Sequence, residues 1–310
     1  MKIIGQSLAL TYLTQGLKLQ HLSPSLLFLG KEGIGKKTTA LELSKSLLCK
    51  EPKSNAEIGL LPHCDQCDAC LKITRLNHPD FLLVNPSYQA SLSNGKSESQ
   101  ESIKIEAVRS LIKFLYYRPT ESLKKVVVID EAQALSAEAA QALLKSVEEP
   151  PPYAQLIIIA PDRHALPSTL VSRCAILSFQ PLSLKDISFY LQNQLGLSEE
   201  KANHIAEKSD GTLNKALHLR DQEAAEISLA GLSFEEFSDW LTEGEFRKEA
   251  RKKGGELLSS LIDQAQTRLE EGDLTQIPTI QNLLRAKKQI EAYVSPRLVL
   301  ETVFLNQKTK

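Results

Sequence analysis

A glycine-rich segment has the composition of a phosphate-binding loop. It runs from 30 to 38 as Gly-Lys-Glu-Gly-Ile-Gly-Lys-Lys-Thr, between a short apolar run and a helical pattern. Backbone N–H groups of such a turn bind phosphate oxygens, and the N-terminus of the following helix adds a positive partial charge. The candidate binding residues are Gly30, Gly33, Gly35, Lys36, Lys37 and Thr38.

One position of this loop departs from a working magnesium–nucleotide site. The usual pattern has Ser or Thr directly after the phosphate-binding lysine, because its hydroxyl binds Mg²⁺. Here Lys37 has that position and Thr38 follows one residue late, which turns its side chain by about 100° on a helix. We therefore predict a degenerate site, and leave open whether it binds ATP and Mg²⁺ or whether its glycines only make the turn.

Two carboxylates follow an apolar run later in the chain. Val126–Ile129 is followed by Asp130 and Glu131. In phosphoryl transfer an aspartate at this place holds Mg²⁺ and a glutamate activates water. With the hydroxyl missing from the loop, we interpret both carboxylates as vestigial catalytic residues.

A cysteine cluster has the composition of a metal site. Three thiols lie at two-residue spacing and a fourth lies 15 positions earlier: Cys49, Cys64, Cys67 and Cys70. Four thiolates complete a tetrahedral zinc site and leave no open position, so we predict structural Zn²⁺. His63 and His78 are alternative fourth ligands, and free thiols are the alternative to metal binding. Cys174 lies far away and is predicted to be buried and inert.

Five short apolar runs must position these residues. They are Leu26–Leu29, Phe81–Val84, Val126–Ile129, Leu156–Ile159 and Ala175–Leu177. None alternates with polar residues, which is typical of parallel strands buried on both faces. Helical patterns over 36–48, 102–116 and 136–148 lie between them, so the sequence predicts an α/β domain with a parallel sheet.

The pattern changes along the chain in ways that predict domain boundaries. Residues 86–101 are polar and serine-rich, and predict a mobile surface loop. After residue 179 only helical patterns follow, and Ser183 with Asp186 resembles a capping box. We predict a first domain over 1–179 with a zinc module at about 49–78, a small helical domain over 180–223, and an all-α domain over 224–310. A basic cluster at 247–253 is interpreted as a solvated helix face, with a weak DNA contact as the alternative.

Composition excludes several classes of protein. The 310 residues carry 37 Lys and Arg against 38 Asp and Glu, so the charge of the whole chain does not favour DNA binding. No apolar run approaches the roughly 18 residues of a membrane span, and the N-terminus does not read as a signal peptide. We expect a cytoplasmic protein without a membrane partner, whose thiols stay reduced.

Together these motifs resemble a known family. The glycine loop, the cysteine cluster and the two carboxylates occur with Ala-Leu-Leu-Lys-Ser-Val-Glu-Glu-Pro-Pro at 142–151 and Leu-Pro-Ser-Thr-Leu-Val-Ser-Arg-Cys at 166–174. The combination is similar to the bacterial clamp-loader AAA+ proteins, the gamma/tau and delta-prime subunits of DNA polymerase III holoenzyme. The resemblance covers about residues 3–222. It implies an AAA+ P-loop domain with a zinc module, a helical lid and a C-terminal helical collar.

At three positions the sequence differs from the ATP-hydrolysing gamma/tau subunits of this family and resembles the delta-prime subunit instead. The hydroxyl position is Lys37, the fourth apolar run leads into Ala160 and Pro161 without a polar residue, and Asn214 has the place of a lid arginine. The resemblance implies a subunit without independent ATPase activity, within a DNA-directed DNA polymerase holoenzyme. It also implies that Arg173 is an arginine finger acting in trans on a neighbour's ATP.

The implied partners are the gamma/tau and delta subunits, with the sliding clamp and primed DNA reached through the complex. An active gamma/tau-like ATPase, in which Thr38 or a water replaces the hydroxyl, is one alternative. A zinc-dependent nucleic-acid-binding module with a vestigial P-loop is another, and the near-neutral charge argues against it.

Overall fold

A computed structural model describes residues 3–52, 61–92 and 102–220, the helical stretch 276–291, and single positions or pairs at 255, 258–259, 262, 266, 299–300 and 302–303. The chain forms two compact units, Met1–Ala216 and Leu217–Lys310. The basic cluster at 247–253 and most of the predicted C-terminal helices lie outside the described residues. Among the helices that the structure describes, none has both the length and the apolar character of a membrane span.

The first unit is built on a parallel five-stranded sheet. Its strands are β1 (Ser25–Leu29), β2 (Phe81–Val84), β3 (Lys125–Ile129), β4 (Ala154–Ala160) and β5 (Ala175–Ser178), in the order β2-β3-β4-β1-β5. Every residue of β1, β3 and β4 is buried, as continuous apolar runs predict. The prediction of burial on both faces is wrong for β5, where Ile176 is 41% exposed. The reason is that β5 is an edge strand.

Helices cover both faces of the sheet and confirm the α/β prediction. They are α1 (Ser7–Lys18), α2 (Lys36–Leu48), α3 (Asp68–Thr74), α4 (Pro86–Leu92), α5 (Ile105–Tyr116), α6 (Ala137–Glu148) and α7 (Ser168–Val171). Leu27 and Val127 pack with α5 and α6, whereas their neighbours Leu26 and Val126 pack with α1 and α2. Successive strand residues therefore feed two separate cores.

Part of the predicted serine-rich loop is helical. Residues 86–92 form α4, while 93–101 lie outside the described residues. Pro86 is the first residue of α4, a position where the missing N–H has no helical partner to lose. The prediction of a surface loop was therefore wrong for its first seven residues, because it rested on polar, serine-rich composition, which does not exclude a short helix.

Two helices follow the sheet in the same unit, α8 (Leu184–Leu195) and α9 (Glu199–Lys208). Residues 213–220 are also helical, and the boundary between the two units falls within them, after Ala216. The predicted capping signal is confirmed, because the Ser183 hydroxyl accepts the Asp186 backbone N–H at 3.1 Å. In the second unit, Gln276–Glu291 is helical.

Candidate functional site: a phosphate loop, a cysteine cluster and an arginine

The phosphate loop connects β1 to α2 at the carboxyl edge of the sheet. Gly30, Gly33 and Gly35 have φ values of 149°, 76° and 97°, which L side chains rarely adopt. A Cβ on Gly30 would also lie 2.6 Å from the Phe179 carbonyl oxygen. The glycines are therefore required by the backbone, whatever the loop binds.

Lys36 is folded back onto its own loop. Its ammonium donates hydrogen bonds to the carbonyl oxygens of Gly30 and of Lys31, the latter at 2.6 Å. Burial lowers the pKa of Lys36, and the nearby carboxylates of Asp130 and Glu32 oppose that shift. The lysine that a P-loop aims at phosphate is thus held by backbone carbonyl groups.

Lys37 forms an ion pair with Asp130 across the carboxyl edge. Its Nζ lies 2.9 Å from Oδ2 of Asp130, whose side chain is almost buried. The other oxygen, Oδ1, accepts the Glu131 backbone N–H at 3.1 Å. The structure therefore brings together the residue at the hydroxyl position and the aspartate predicted to hold Mg²⁺, and a side-chain cation lies on that carboxylate.

The remaining predicted residues of the nucleotide site lie nearby without forming this pair. Thr38 is half-buried in the first turn of α2, and Glu131 is exposed with a left-handed φ of 54°. Pro161 and Asn214, two further positions on which the resemblance to delta-prime depended, contact the loop glycines. The Pro161 carbonyl accepts the Gly30 N–H at 3.1 Å, and Asn214 packs against Gly33 so closely that a Cβ there would lie 3.0 Å from the Cβ of Asn214.

The helical segment after α9 is tied to the loop by its backbone. The Leu213 N–H donates to the Gly33 carbonyl at 3.0 Å. Thr212 also lies against Gly33, with its Cβ 3.4 Å from where a Cβ would be. The segment that the resemblance assigns to the lid is therefore bonded directly to the phosphate loop.

The four predicted cysteines converge at the other end of α2. Cys49 is the C-cap of α2, Cys67 is the N-cap of α3, and Cys70 lies within α3. The Sγ of Cys49 lies 3.6 Å from that of Cys64 and 3.8 Å from that of Cys67, and Cys64 lies 4.0 Å from Cys70. A tetrahedron with Zn–S bonds of about 2.3 Å has edges of about 3.8 Å. The cluster therefore has the size of a tetrahedral thiolate site and could hold a metal ion.

Burial and hydrogen bonds shift the pKa values of individual thiols in this cluster in different directions. The Cys67 N–H donates to Cys64 Sγ at 3.2 Å. Burial opposes ionisation of Cys67, but backbone hydrogen bonds of Cys70 and Lys50 lower its pKa to about 6. Burial raises the pKa of Cys70, and hydrogen bonds with Cys67 and Cys49 raise it further.

Neither alternative histidine belongs to the cluster. His63 has both ring nitrogens engaged, Nδ1 with the Leu61 carbonyl at 2.9 Å and Nε2 with Glu42 at 2.8 Å. His78 is buried, and its Nδ1 accepts the Asp80 N–H at 3.0 Å. The four-cysteine set is the group that the structure brings together.

A charge network, buried at Glu42 and Lys45 and exposed at Asp65, joins α2 to the cysteine loop, and sequence analysis missed it. Lys45 lies 2.9 Å from Glu42 and 2.8 Å from Asp65, and His63 contacts the same two carboxylates. The only sequence signal is that Glu42 and Lys45 share a helix face at three-residue spacing. The network fixes the cysteine loop against the middle of α2.

Arg173 lies just after α7 and is partly exposed. Its Nε donates to Glu148 Oε2 at 2.9 Å, and its Nη1 donates to the Thr169 carbonyl at 2.9 Å. The arginine side chain is 35% exposed and that of Glu148 is 55% exposed. Next to it, Cys174 is half-buried and burial raises its pKa to about 11, so its thiol stays protonated.

Comparisons with known proteins agree with these motifs. The profile of a family described as "DNA polymerase III, delta subunit" matches residues 5–183. "DNA polymerase III subunit delta'" of Bacillus subtilis is 34% identical over 206 residues, which is 66% of this chain and 56% of that protein. "DNA polymerase III subunit gamma" of Buchnera aphidicola from Schizaphis graminum is 32% identical over 225 residues, 70% of this chain and 56% of that protein. The chain therefore spans a little over half the length of these two relatives.

A solved structure described as a "gamma subunit-related protein" of DNA polymerase III from Thermotoga maritima aligns over 95% of this chain and 97% of that chain. Its sequence identity is 17% and the TM-score is 0.46.

Proposed function

The chain belongs to the DNA polymerase III delta subunit family, and from that premise we propose that it is a delta-prime-like subunit of the replicative clamp loader. In this role it supports ATP-dependent loading of the sliding clamp on primed DNA, together with gamma/tau and delta subunits. Residues 1–179 act as the AAA+ domain, 180–223 as the lid and 224–310 as the collar that joins the other subunits. The complex works in the cytoplasm.

The observation that carries the delta-prime assignment is the ion pair between Lys37 and Asp130. A magnesium site of this kind needs a hydroxyl at the position of Lys37 and a free carboxylate at the position of Asp130. Here an ammonium lies 2.9 Å from that carboxylate, so Mg²⁺ and the lysine compete for one place. The chain's own site does not hydrolyse ATP, and Asp130 and Glu131 are vestigial.

Arg173 supplies the chemistry that this chain contributes to the loader. A guanidinium is planar, always charged and able to bind two phosphate oxygens at once. Its partial exposure, at the edge of the domain beyond α7, suits contact with ATP bound to a neighbouring subunit. There it stabilises charge that develops on the transferred phosphoryl group.

The four cysteines hold structural Zn²⁺. Their spacing suits a closed tetrahedral site, which has no position for a reacting water. Zinc contributes here to the folding of the first domain and takes no part in ATP hydrolysis.

The test is ATP turnover by the reconstituted loader with clamp and primed DNA, comparing Lys36→Ala with Arg173→Ala. Because Lys36 serves only this chain's own loop, Lys36→Ala is expected to leave turnover unchanged. Arg173→Ala is expected to lower turnover about tenfold or more with the assembly intact. The reverse pattern, a large loss with Lys36→Ala alone, would identify an active gamma/tau-like subunit instead.

A separate binding measurement distinguishes the third hypothesis. Salt-sensitive binding of primed DNA by the chain alone would point to a zinc-dependent nucleic-acid module. A delta-prime-like subunit is expected to bind DNA only as part of the loader.

A further inference from the structure

Arg173 is held at two points by groups from different parts of the chain. Glu148 is the last residue of α6 and accepts from Nε, while the Thr169 carbonyl in α7 accepts from Nη1. Both contacts measure 2.9 Å. Glu148 precedes Arg173 by 25 positions, so only the packing of α6 beside α7 brings them together.

These two contacts leave part of the guanidinium available. An arginine has five N–H donors, and Nη2 makes no hydrogen bond to any residue in the part of the chain that the structure describes. Arg173 is thus held at Nε and Nη1, and the N–H groups of Nη2 have no acceptor among the described residues. A guanidinium held in this way is oriented before it meets a ligand.

The ion pair between Arg173 and Glu148 is too exposed to be explained by its contribution to stability. Ion pairs between side chains this exposed contribute little to stability, since water solvates and screens both charges. The nearby carboxylate also offsets part of the positive charge that an arginine finger would offer to a phosphate. Stability and charge therefore do not account for the contact, whereas orientation does, because a free arginine loses much side-chain entropy when it binds.

We propose that Glu148 is the positioning residue of Arg173, holding the guanidinium ready for the transferred phosphoryl group of ATP on a neighbouring subunit. This inference rests on the proposed function of Arg173 as a finger. Glu148 touches neither ATP nor the reacting atoms, and acts only through Arg173. Preorganised donors of this kind lower the barrier because they need no rearrangement when charge develops.

The test is a double-mutant cycle in the reconstituted loader, with ATP turnover measured in the presence of clamp and primed DNA. Glu148→Ala is expected to lower kcat about three- to tenfold with little change in KM, since orientation matters most in the transition state. Glu148→Gln keeps a carbonyl oxygen that accepts from Nε, so it is expected to retain most of the activity. The double variant with Arg173→Ala is expected to be no slower than Arg173→Ala alone.

Glu149 provides the matched control. It is an exposed carboxylate next to Glu148, and it makes no ion pair with Arg173 in the structure. Glu149→Ala removes the same charge from the same surface and is expected to leave kcat unchanged.

Each result separates this inference from the proposed function. If Arg173→Ala lowers turnover and Glu148→Ala does not, the finger stands and the positioning role is wrong. A double variant much slower than Arg173→Ala alone would mean that Glu148 acts independently of the arginine. If Arg173→Ala has no effect, both proposals fail together.

Discussion

The two ends of α2 differ in how well the side chains there suit a bound metal ion. At its first residue, Lys36, the helix opens from a loop with the backbone of a phosphate site, yet Lys37 places an ammonium on the carboxylate that would hold magnesium. At its C-cap, Cys49, the helix supplies one of four thiols whose spacing suits a bound cation. The comparison teaches that the backbone shape of a site and its side-chain chemistry are separable, because three glycines form the loop while the Lys37 ammonium lies on the Asp130 carboxylate.

The largest effect is expected at the cysteine end. Cys70→Ser should release the metal and lower the free energy of unfolding of the first unit by about 3–5 kcal/mol, at the upper end for single substitutions. The reason is that folding energy supplied by a structural metal is lost with any one ligand. Thermal unfolding together with metal content per chain measures it.

Cys174→Ser is the control for that experiment, because this thiol lies outside the cluster and stays protonated. It should cost about 1 kcal/mol, a typical value for a point substitution. If the two variants unfold at equal temperatures and the unmodified protein contains no metal, the cysteine end of α2 is not a structural metal site.

A smaller effect is expected at the phosphate-loop end. Lys37→Thr removes the ammonium from Asp130 and places a hydroxyl where a P-loop has one. ATP should then bind at least about tenfold more tightly with Mg²⁺ than with a chelator, a difference of about 1.4 kcal/mol. Calorimetric titration of the isolated chain measures both affinities.

Lys37→Met separates the two changes made by that substitution. It removes the same charge without adding a hydroxyl, so it should not gain the magnesium dependence. If the unmodified chain already binds ATP in a magnesium-dependent way, Lys37 does not displace the metal and the contrast between the two ends of α2 disappears.

The smallest effect tests whether the loop is kept for its shape. Gly33 and Gly35 both have positive φ, but only a Cβ on Gly33 would meet the helical segment after α9, at 3.0 Å from Asn214. Gly33→Ala should therefore destabilise the protein by about 1 kcal/mol more than Gly35→Ala, in which backbone strain acts alone. Urea unfolding of the two variants gives the difference, and equal values would show that the contact with Asn214 contributes nothing to stability.

The sequence was sufficient for the elements and insufficient for the side-chain partners. The helix over 36–48 was predicted with its observed bounds, and β3 and β4 to within two residues, because buried parallel strands are continuous apolar runs. The exposure of β5 was not predicted, since an edge strand can be as apolar as a central one. Asp130 and Lys37 were both predicted as site residues, and the sequence already places the Lys37 ammonium where a hydroxyl would bind Mg²⁺.

The motifs did not predict which side chains far apart in the sequence contact each other. Glu148 and Arg173 belong to two separate signatures, and nothing in either signature specifies that they meet. The same holds for His63, which was considered as a zinc ligand but binds Glu42 on α2. Such contacts depend on how helices and loops pack, and that packing is decided by the whole core.

The backbone bond from Leu213 to Gly33 has a mechanical consequence. A single hydrogen bond makes the helical segment after α9 follow the backbone of Gly33. A displacement of the phosphate loop, from whatever source, should therefore be passed to that segment rather than be absorbed between the two.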